Sequence, residues 1–331
     1  MPFAHDRAVR LVFSDDPETL DPGTQAGKTQ AVLFRYDAGA ERTRFLFYHL
    51  GHTSTRRLVL RATAAEDVSF EVLTSIPAPS ARWTQLGHAV SAGLLRNLNS
   101  GAWTRHDIAA GTFEDLWFAA LPPGVLSIGV IETTVTAGTS VEIALAVLDD
   151  PANADAVFAS PFQFLGDGRG RRGDFSIVPN APVPLTYTVG SDTPLTYTCG
   201  NRKFGPNGLT PLAGSPDVPY DGEYVVFTHL AVQLVNDGKK NATVGVYERV
   251  GGPYATATYW MDGALVESEL IINPPGIWYK VKSYTVKANS TVTADIAILP
   301  DPAASMPIEL RFDADDGHPA PSFITVAPLR R

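Results

Sequence analysis

Three aspartates near residue 315 come closest to forming a metal site in this sequence. Asp313, Asp315 and Asp316 are followed by Gly317, and clustered carboxylate oxygens are the ligands that calcium prefers. The spacing differs from the calcium loop of an EF-hand, which also needs a glutamate at its end. We therefore expect an ordinary acidic turn before a terminal strand, with calcium bound by these three carboxylates as the alternative. No other cofactor is expected.

Three histidines could supply nitrogen ligands to a metal. His49 and His52 are close enough to flank one turn, and His88 lies in the same half of the chain. A metal site needs three or four convergent ligands with a further layer of hydrogen bonds around them. Two neighbouring histidines in a strand and turn usually hydrogen-bond locally or face water, so the sequence favours no metal here.

The segment from Gly23 to Thr29 ends in Gly-Lys-Thr, like a phosphate-binding loop. The motif requires another glycine at position 22, where this chain has Pro22, and a helix must follow to hold phosphate at its N-terminus. Residues 30–36 have the pattern of a strand instead. We therefore expect no nucleotide site in this segment.

No signature of a nucleophilic enzyme is present, because no Gly-x-Ser-x-Gly elbow positions a serine. The chain is accordingly expected not to be an enzyme. Its aromatic side chains leave another chemistry open, since exposed rings can form platforms on which sugars stack, although most such residues fill cores or interfaces. The candidates are Trp103, Trp117, Trp260, Trp278 and Tyr279.

The elements that must position these residues are strands. Apolar and polar residues alternate in many short runs, each ended by Gly, Pro, Asp or Ser, which is the pattern of half-buried strands. The clearest runs are residues 10–13, 45–48, 57–61, 68–72, 125–136, 141–148, 224–235, 243–250, 279–286 and 291–299. Their regular spacing predicts an all-β chain built from sandwiches.

Turn sequences favour hairpins between these strands. Asn236-Asp237-Gly238 and Met261-Asp262-Gly263 each separate two apolar runs, and Asp-Gly is a strong hairpin signal. Residues 184–190, Pro-Leu-Thr-Tyr-Thr-Val-Gly, are nearly repeated at residues 194–200 as Pro-Leu-Thr-Tyr-Thr-Cys-Gly. The repeat predicts a duplicated strand, in a hairpin or an edge pair.

One helix of appreciable length is expected, after Ser80 as its cap. The apolar residues that recur there at spacings of three and four are Trp83, Leu86, Val90, Leu94 and Leu98. A shorter helical turn is expected after Asp150, because Pro151 suits a first helical position.

Glycine alternates with charge from Gly166 to Gly173, which leaves no side chain for a core and predicts a linker. We place a domain boundary there, between an N-terminal domain at residues 1–168 and a C-terminal domain at residues 169–331. A chain of 331 residues is long enough for two domains. The predicted fold is two β-sandwich domains, jelly-roll or immunoglobulin-like, with one short helix in the first.

The formal net charge is -9 and basic residues form no run, so no nucleic-acid backbone is expected as a partner. No stretch approaches the roughly 18 apolar residues of a membrane span, so no membrane insertion is expected. The one cysteine, Cys199, permits no intrachain disulfide and is expected to be a buried thiol. Residues 1–11 lack the apolar centre of a signal peptide.

Six short blocks spread over most of the chain carry a resemblance. They are residues 13–18, 44–49 and 87–90 in the first half and residues 222–226, 251–253 and 260–266 in the second, for example Arg-Phe-Leu-Phe-Tyr-His at 44–49 and Trp-Met-Asp-Gly-Ala-Leu-Val at 260–266. These blocks resemble uncharacterised exported bacterial proteins with two β-sandwich domains. The resemblance implies an extracellular or cell-surface location and no particular activity.

The leading functional expectation is a structural protein that assembles with copies of itself. Exposed strand edges and the termini would make the contacts, in an extracellular filament or surface layer. Two alternatives stay open: a pair of carbohydrate-binding sandwich modules, for which a glycan is the partner, and a viral capsid or tail protein.

Overall fold

The computed structural model describes residues 7–15, 19–20, 30–160, 172–177, 182–200, 203–204, 220–221, 223–251, 254–255, 257–267, 271–272, 277–303 and 306–315. The all-β class predicted from the sequence is confirmed, with sheets arranged as sandwiches. The described residues fall into two compact units. One holds those from 7 to 177 together with 203–204 and 220–221, and the other holds those from 182 to 200 and from 223 to 315.

The first unit contains eleven strands before residue 178 among its described residues. They are β1 (Arg10–Ser14), β2 (Thr19–Leu20), β3 (Ala31–Ala38), β4 (Thr43–Gly51), β5 (Arg56–Thr63), β6 (Val68–Ser75), β7 (Thr104–Ile108), β8 (Phe113–Leu121), β9 (Leu126–Ala137), β10 (Val141–Leu148) and β11 (Arg172–Ser176). Its helices are α1 (Trp83–Ser100), between β6 and β7, and α2 (Ala154–Ala159), after β10.

Two sheets of the first unit pack face to face. The larger has the order β11-β1-β4-β9-β6-β7, with β2 also paired to β4, and the smaller has the order β3-β10-β5-β8. Aromatic contacts join the two layers: Phe34 stacks on Phe45 with ring centroids 5.8 Å apart, and Phe47 lies 5.5 Å from Trp117. The period-two pattern read from the sequence places these apolar side chains between the sheets and leaves the alternate residues on the outer faces.

The remaining strands follow in chain order. They are β12 (Val183–Thr188), β13 (Leu195–Cys199), β14 (Lys203–Phe204), β15 (Tyr220–Asp221), β16 (Thr228–Asn236), β17 (Ala242–Val250), β18 (Tyr254–Ala255), β19 (Ala257–Met261), β20 (Ala264–Glu267), β21 (Ile271–Ile272), β22 (Tyr279–Val286), β23 (Ser290–Pro300) and β24 (Ile308–Ala314). β14 pairs with β15, which both belong to the first unit, and β18 pairs with β21.

The second unit repeats the topology of the first. Its larger sheet is β12-β16-β23-β19-β20, and its smaller sheet is β13-β24-β17-β22. Matched in chain order, these nine strands correspond to β1-β4-β9-β6-β7 and β3-β10-β5-β8. The parallel pair recurs as well, because β12 is parallel to β16 as β1 is to β4. Each unit is therefore a version of one nine-stranded sandwich.

The predicted helices are present, with one correction. α1 covers the outer face of β6 and β9, burying Leu86, Val90 and Leu94. Ser80 is not its cap, because the helix begins after Arg82 and Ser80 forms a β-bridge with Leu126 instead. The helical turn after Asp150 is confirmed. In the described part of the chain, neither helix is long and apolar enough to cross a bilayer.

One of the predicted hairpins is confirmed and the others are wrong. Asp262 and Gly263 turn β19 into its neighbour β20 with positive φ angles of 52° and 83°, as a two-residue hairpin requires. The hairpin at residues 236–238 is wrong, because β16 and β17 lie in different sheets. The repeated motif does not form a hairpin either: β12 and β13 are edge strands of opposite sheets.

The linker prediction needs a correction at its end. The boundary placed between residues 168 and 169 lies outside the described residues. The last two residues of the predicted linker, Arg172 and Gly173, instead begin strand β11, which pairs with β1. Asp174 on this strand is buried and accepts a hydrogen bond from Arg10 Nη1 at 3.1 Å.

Gly129 on β9 offers a test of the packing between the layers. A Cβ atom at this position would lie 3.0 Å from Ile76 Cγ1 and closer still to the ring of Phe47. We expect Gly129→Ala to lower the free energy of unfolding by about 1–3 kcal/mol, because the buried ring has no room to move. Urea denaturation measures the change.

Gly39→Ala is the matched control for that substitution. Its added Cβ would meet nothing nearer than the Thr139 carbonyl oxygen at 3.8 Å. We expect a change within about 1 kcal/mol. Equal losses in the two variants would contradict the described contact between β9 and Phe47.

Candidate functional site

A cleft of about 590 Å³ opens on the outer face of β3-β10-β5-β8. Arg35, Glu142 and Arg61 form its floor, from three adjacent strands. Phe113 on β8 and Phe158 on α2 form its walls. The cleft lies wholly within the first unit, on the face that the period-two pattern turns away from the core.

Cross-strand register explains why these side chains meet. One row across the four strands is Asp37, Glu142, Thr63 and Phe113, and the next row is Arg35, Ala144, Arg61 and Asp115. Directly opposed residues in antiparallel strands lie about 5 Å apart on the same face. A one-residue shift between β5 and β8, between Leu60 and Arg61, sets the second row in place.

Arg61 is the centre of the site. Its Nε and Nη2 bind the two carboxylate oxygens of Asp115 at 2.6 and 3.2 Å, and its Nη1 binds Asp155 Oδ1 at 2.7 Å. The guanidinium carbon also lies 3.7 Å from the ring centroid of Phe113 and 4.4 Å from that of Phe158. The side chain is consequently buried although it carries a full charge.

The two carboxylates keep that charge in place. Burial alone lowers the pKa of Arg61, but the hydrogen bonds to Asp115 and Asp155 outweigh it and raise the pKa above its usual value. The guanidinium therefore carries its full positive charge at neutral pH.

α2 is positioned by its own start signal and by packing. Asp150 accepts a hydrogen bond from the Ala152 backbone at 2.9 Å, and Pro151 begins the helical turn. Phe158 then packs against the outer-face residues Val59 and Ala144. Its carbonyl oxygen also accepts a hydrogen bond from Arg35, so α2 closes one end of the cleft.

Glu142 is half-buried beside Arg35, with Oε2 3.5 Å from Nε. Burial raises the pKa of Glu142, and the neighbouring Arg35 only partly offsets this effect. Carboxylates at Asp37, Glu142, Asp115 and Asp155 surround the two arginines Arg35 and Arg61. The cleft thus offers several hydrogen-bond acceptors, a few donors and an exposed ring, a combination suited to a ligand that carries many hydroxyl groups.

The predicted acidic turn is only partly described. Asp313 accepts from Arg311 Nε at 3.0 Å and from the Tyr187 hydroxyl at 3.3 Å. Asp315 accepts from Lys280 Nζ at 2.8 Å, and this bond lowers the pKa of Asp315. Asp316 lies outside the described residues, so calcium binding by all three stays a prediction. The described residues contain no group of three histidine, cysteine or acidic side chains arranged for a metal.

The histidines are spread over the first unit. His49 is buried on β4, with Nε2 3.2 Å from Ser14 Oγ, while His52 is exposed beyond the end of that strand. His88 is half-buried on α1. Residues 23–29, which resemble a phosphate loop, lie outside the described residues.

The aromatic candidates serve different purposes. Trp117 packs against the core through Phe47, and Trp103 lies under the guanidinium of Arg42 at 4.4 Å. Tyr279 is buried, and Trp260 and Trp278 are half-buried. Of these five, none lies in the cleft, whose exposed ring is Phe113.

Cys199 is buried, as expected. Its Sγ lies 3.4 Å from Glu223 Oε2, which also accepts from Thr228 Oγ1 at 2.8 Å. All three side chains are at most 1% exposed. This polar cluster is therefore closed to solvent inside the second sandwich.

Sequence reasoning missed the residues of the cleft. Arg61 was read only as part of a strand, and Phe113, Asp155 and Phe158 were not singled out. A signal was present in the period: Arg35 with Asp37, Arg61 with Thr63 and Phe113 with Asp115 each place two functional side chains on one face. The sequence does not show which strands lie side by side, so it could not bring these pairs together.

Comparisons with known proteins add no function. No protein-family model matches the chain, and no curated protein matches it. Three of the similar solved structures are Lac15 from a marine microbial metagenome, the PBSX exported protein XepA, and the CBM22-1-CBM22-2 tandem of Paenibacillus barcinonensis Xyn10C. Their sequence identities are 11%, 10% and 7%, and their TM-scores are 0.17, 0.16 and 0.15.

The alignments cover 94%, 86% and 81% of this chain, and 63%, 85% and 74% of the other chains in the same order. The match to Lac15 thus spans less than two thirds of that protein. TM-scores this low transfer neither fold nor function to this chain.

Arg61→Lys tests the centre of the site. Lysine keeps the charge but loses the two-point contact with Asp115 and the flat surface between the two phenylalanines. We expect the free energy of unfolding to fall by about 1–2 kcal/mol in urea denaturation.

Arg57→Lys, on the same strand and face, is the control. Arg57 is half-buried and lies outside the cleft lining. We expect a change within about 0.5 kcal/mol. Similar losses at the two positions would show that Arg61 has no special role in ordering the cleft.

Proposed function

We propose that the first sandwich binds a saccharide in the cleft on its outer face, without catalysing a reaction. The observation that carries the proposal is Phe113. Its side chain is 48% exposed at the edge of the cleft, although large apolar residues normally avoid water. Arg61 fixes the ring from below, so the platform is formed before a ligand arrives.

The polar groups around Phe113 support the same class of ligand. Sugars present apolar C–H faces together with hydroxyl groups that both donate and accept hydrogen bonds. Asp37 and Glu142 can accept from such hydroxyls, and Arg35 and Thr63 can donate. Three lining carboxylates and the adjacent Asp115, against two arginines, favour a neutral saccharide, because an anionic one would be repelled.

The location fits the resemblance to exported bacterial proteins. An extracellular or cell-surface protein meets polysaccharides, and we propose that location for this chain.

Phe113→Ala tests the proposal directly. Removing the ring should weaken binding of neutral oligosaccharides by about five- to tenfold, because aromatic contacts of this kind contribute roughly 1–1.5 kcal/mol. A glycan array identifies the ligand, and isothermal titration calorimetry measures the dissociation constant.

Phe118→Ala is the matched control on the same strand. Phe118 is 65% exposed and does not line the cleft. Its loss should change the dissociation constant less than about twofold. If wild-type protein binds no neutral saccharide on the array, the proposal fails.

Self-assembly is a second candidate function, favoured by the position of β8. Among the described strands β8 pairs only with β5, so its other edge presents backbone N–H and C=O groups that another strand could meet. Phe118 on β8, opposite Val59 of β5, adds an exposed apolar side chain. A second copy of the chain would find both features together, which supports a subunit of a filament or surface layer.

Phe118→Lys tests the second candidate. A lysine on an edge strand opposes pairing with another chain, so the variant should shift wild-type oligomers toward monomer by about tenfold in dissociation constant. Analytical ultracentrifugation over a concentration series measures the shift. Gln233→Lys, which adds the same charge to the exposed face of the interior strand β16, should leave assembly unchanged. A wild-type protein that is monomeric at all concentrations excludes this function.

A further inference from the structure

We infer that the second sandwich carries a second saccharide site, on the outer face of β13-β24-β17-β22, and that this site takes a sugar bearing a carboxylate. The inference rests on the proposed function, because it extends the argument for the first cleft to the equivalent face of the second unit. It would make the chain bivalent, with different selectivity at its two sites.

The equivalence of the two faces is fixed by pairing register. In each smaller sheet, the third and fourth strands shift by one residue relative to each other. The shift falls between Leu60 and Arg61 in the first unit and between Val246 and Tyr247 in the second. Aligning the shifts makes Tyr247 the counterpart of Arg61.

The same alignment equates the two aromatic platforms. Asp115 faces Arg61, and Lys280 faces Tyr247. Phe113 comes two residues before Asp115, as Trp278 comes two residues before Lys280. Both units therefore place an aromatic residue at one position of the outer face.

A glutamate also recurs beside the platform. Ala144 on β10 faces Arg61, and Arg311 on β24 faces Tyr247. Glu142 comes two residues before Ala144, and Glu309 two residues before Arg311.

Arginines hold the ring of Trp278, as Arg61 holds that of Phe113. The guanidinium carbons of Arg249 and Arg311 lie 4.8 and 5.7 Å from the indole centroid. Glu309 pairs with Arg249, and Asp313 pairs with Arg311. The ion pair with Glu309 uses Nε and Nη2 of Arg249, and the ion pair with Asp313 uses Nε and Nη2 of Arg311, so neither ion pair occupies Nη1.

Charge distinguishes the second face from the first. This face has equal numbers of positive and negative side chains. Three cations each pair with one carboxylate: Arg249 with Glu309, Lys280 with Asp315, and Arg311 with Asp313. The cleft of the first unit is lined by three carboxylates and two arginines, and a fourth carboxylate, Asp115, pairs with Arg61 beside it. The substitution of Arg311 for Ala144 and of Lys280 for Asp115 removes this excess. A sugar carboxylate is therefore repelled at the first site and can pair with arginine at the second.

The experiment uses full-length protein on an array of neutral and uronate-containing oligosaccharides, followed by titration of the spots that bind. Trp278→Ala should weaken uronate binding at least about tenfold and leave neutral binding within twofold. Phe113→Ala should weaken neutral binding and leave uronate binding within twofold. Trp278→Phe, which keeps a ring, should retain most uronate binding if the fold is intact.

Trp103→Ala controls for the loss of an indole elsewhere, because Trp103 also lies under an arginine but in the first unit. It should change neither class of binding. The inference is overturned if the protein binds no uronate, or if Trp278→Ala binds uronate as tightly as the wild type. Neutral binding would still support the first site in either case. If the wild-type protein binds uronates but no neutral saccharide, the proposed function of the first cleft is overturned and the second site is still supported.

Discussion

The buried guanidinium of Arg61 is the constraint on which the site depends. A charged side chain that is 3% exposed must have its hydrogen bonds met by other charges, because burying it unpaired would cost several kcal/mol. Asp115 from β8 and Asp155 from α2 meet that need from two sides. These two bonds tie an edge strand and a short helix to the middle of the sheet. They also hold the rings of Phe113 and Phe158, the walls of the cleft, 3.7 and 4.4 Å from the same guanidinium carbon.

The two sandwiches share one strand order, but equivalent positions carry side chains of different chemistry. Where the first sandwich has Arg61, the second has Tyr247, whose ring lies over Gly245 so closely that a Cβ there would fall 2.5 Å from Cε2. The hydroxyl of Tyr247 reaches Asp315 Oδ1 at 3.3 Å. The positive charges move outward to Arg249 and Arg311, around Trp278. Nine strands with the same order and pairing thus support two outer faces of different charge.

Local sequence patterns predicted the elements better than their neighbours. The alternation at residues 57–61 and 141–148 identified strands β5 and β10, and the three-and-four spacing after Trp83 identified α1. The turn at residues 236–238 failed as a hairpin because a turn sequence reverses the chain without deciding which sheet receives the next strand. The candidate site was beyond reach for a similar reason. Asp115 and Asp155 lie 54 and 94 residues from Arg61, and only the lateral order of the strands brings them together.

The connection between β6 and β7 differs greatly in length from its counterpart in the second sandwich, the connection between β19 and β20. In the first sandwich this connection spans residues 76–103 and includes an 18-residue helix, whereas in the second the equivalent strands β19 and β20 are joined by Asp262 and Gly263 alone. The flanking strands keep the same partners in both cases. The length of this connection therefore has little effect on which strands pair in the sheet. An epitope or reporter domain grafted into this turn should therefore follow Gly263, because Asp262 is held by hydrogen bonds to Lys282 and Asp295.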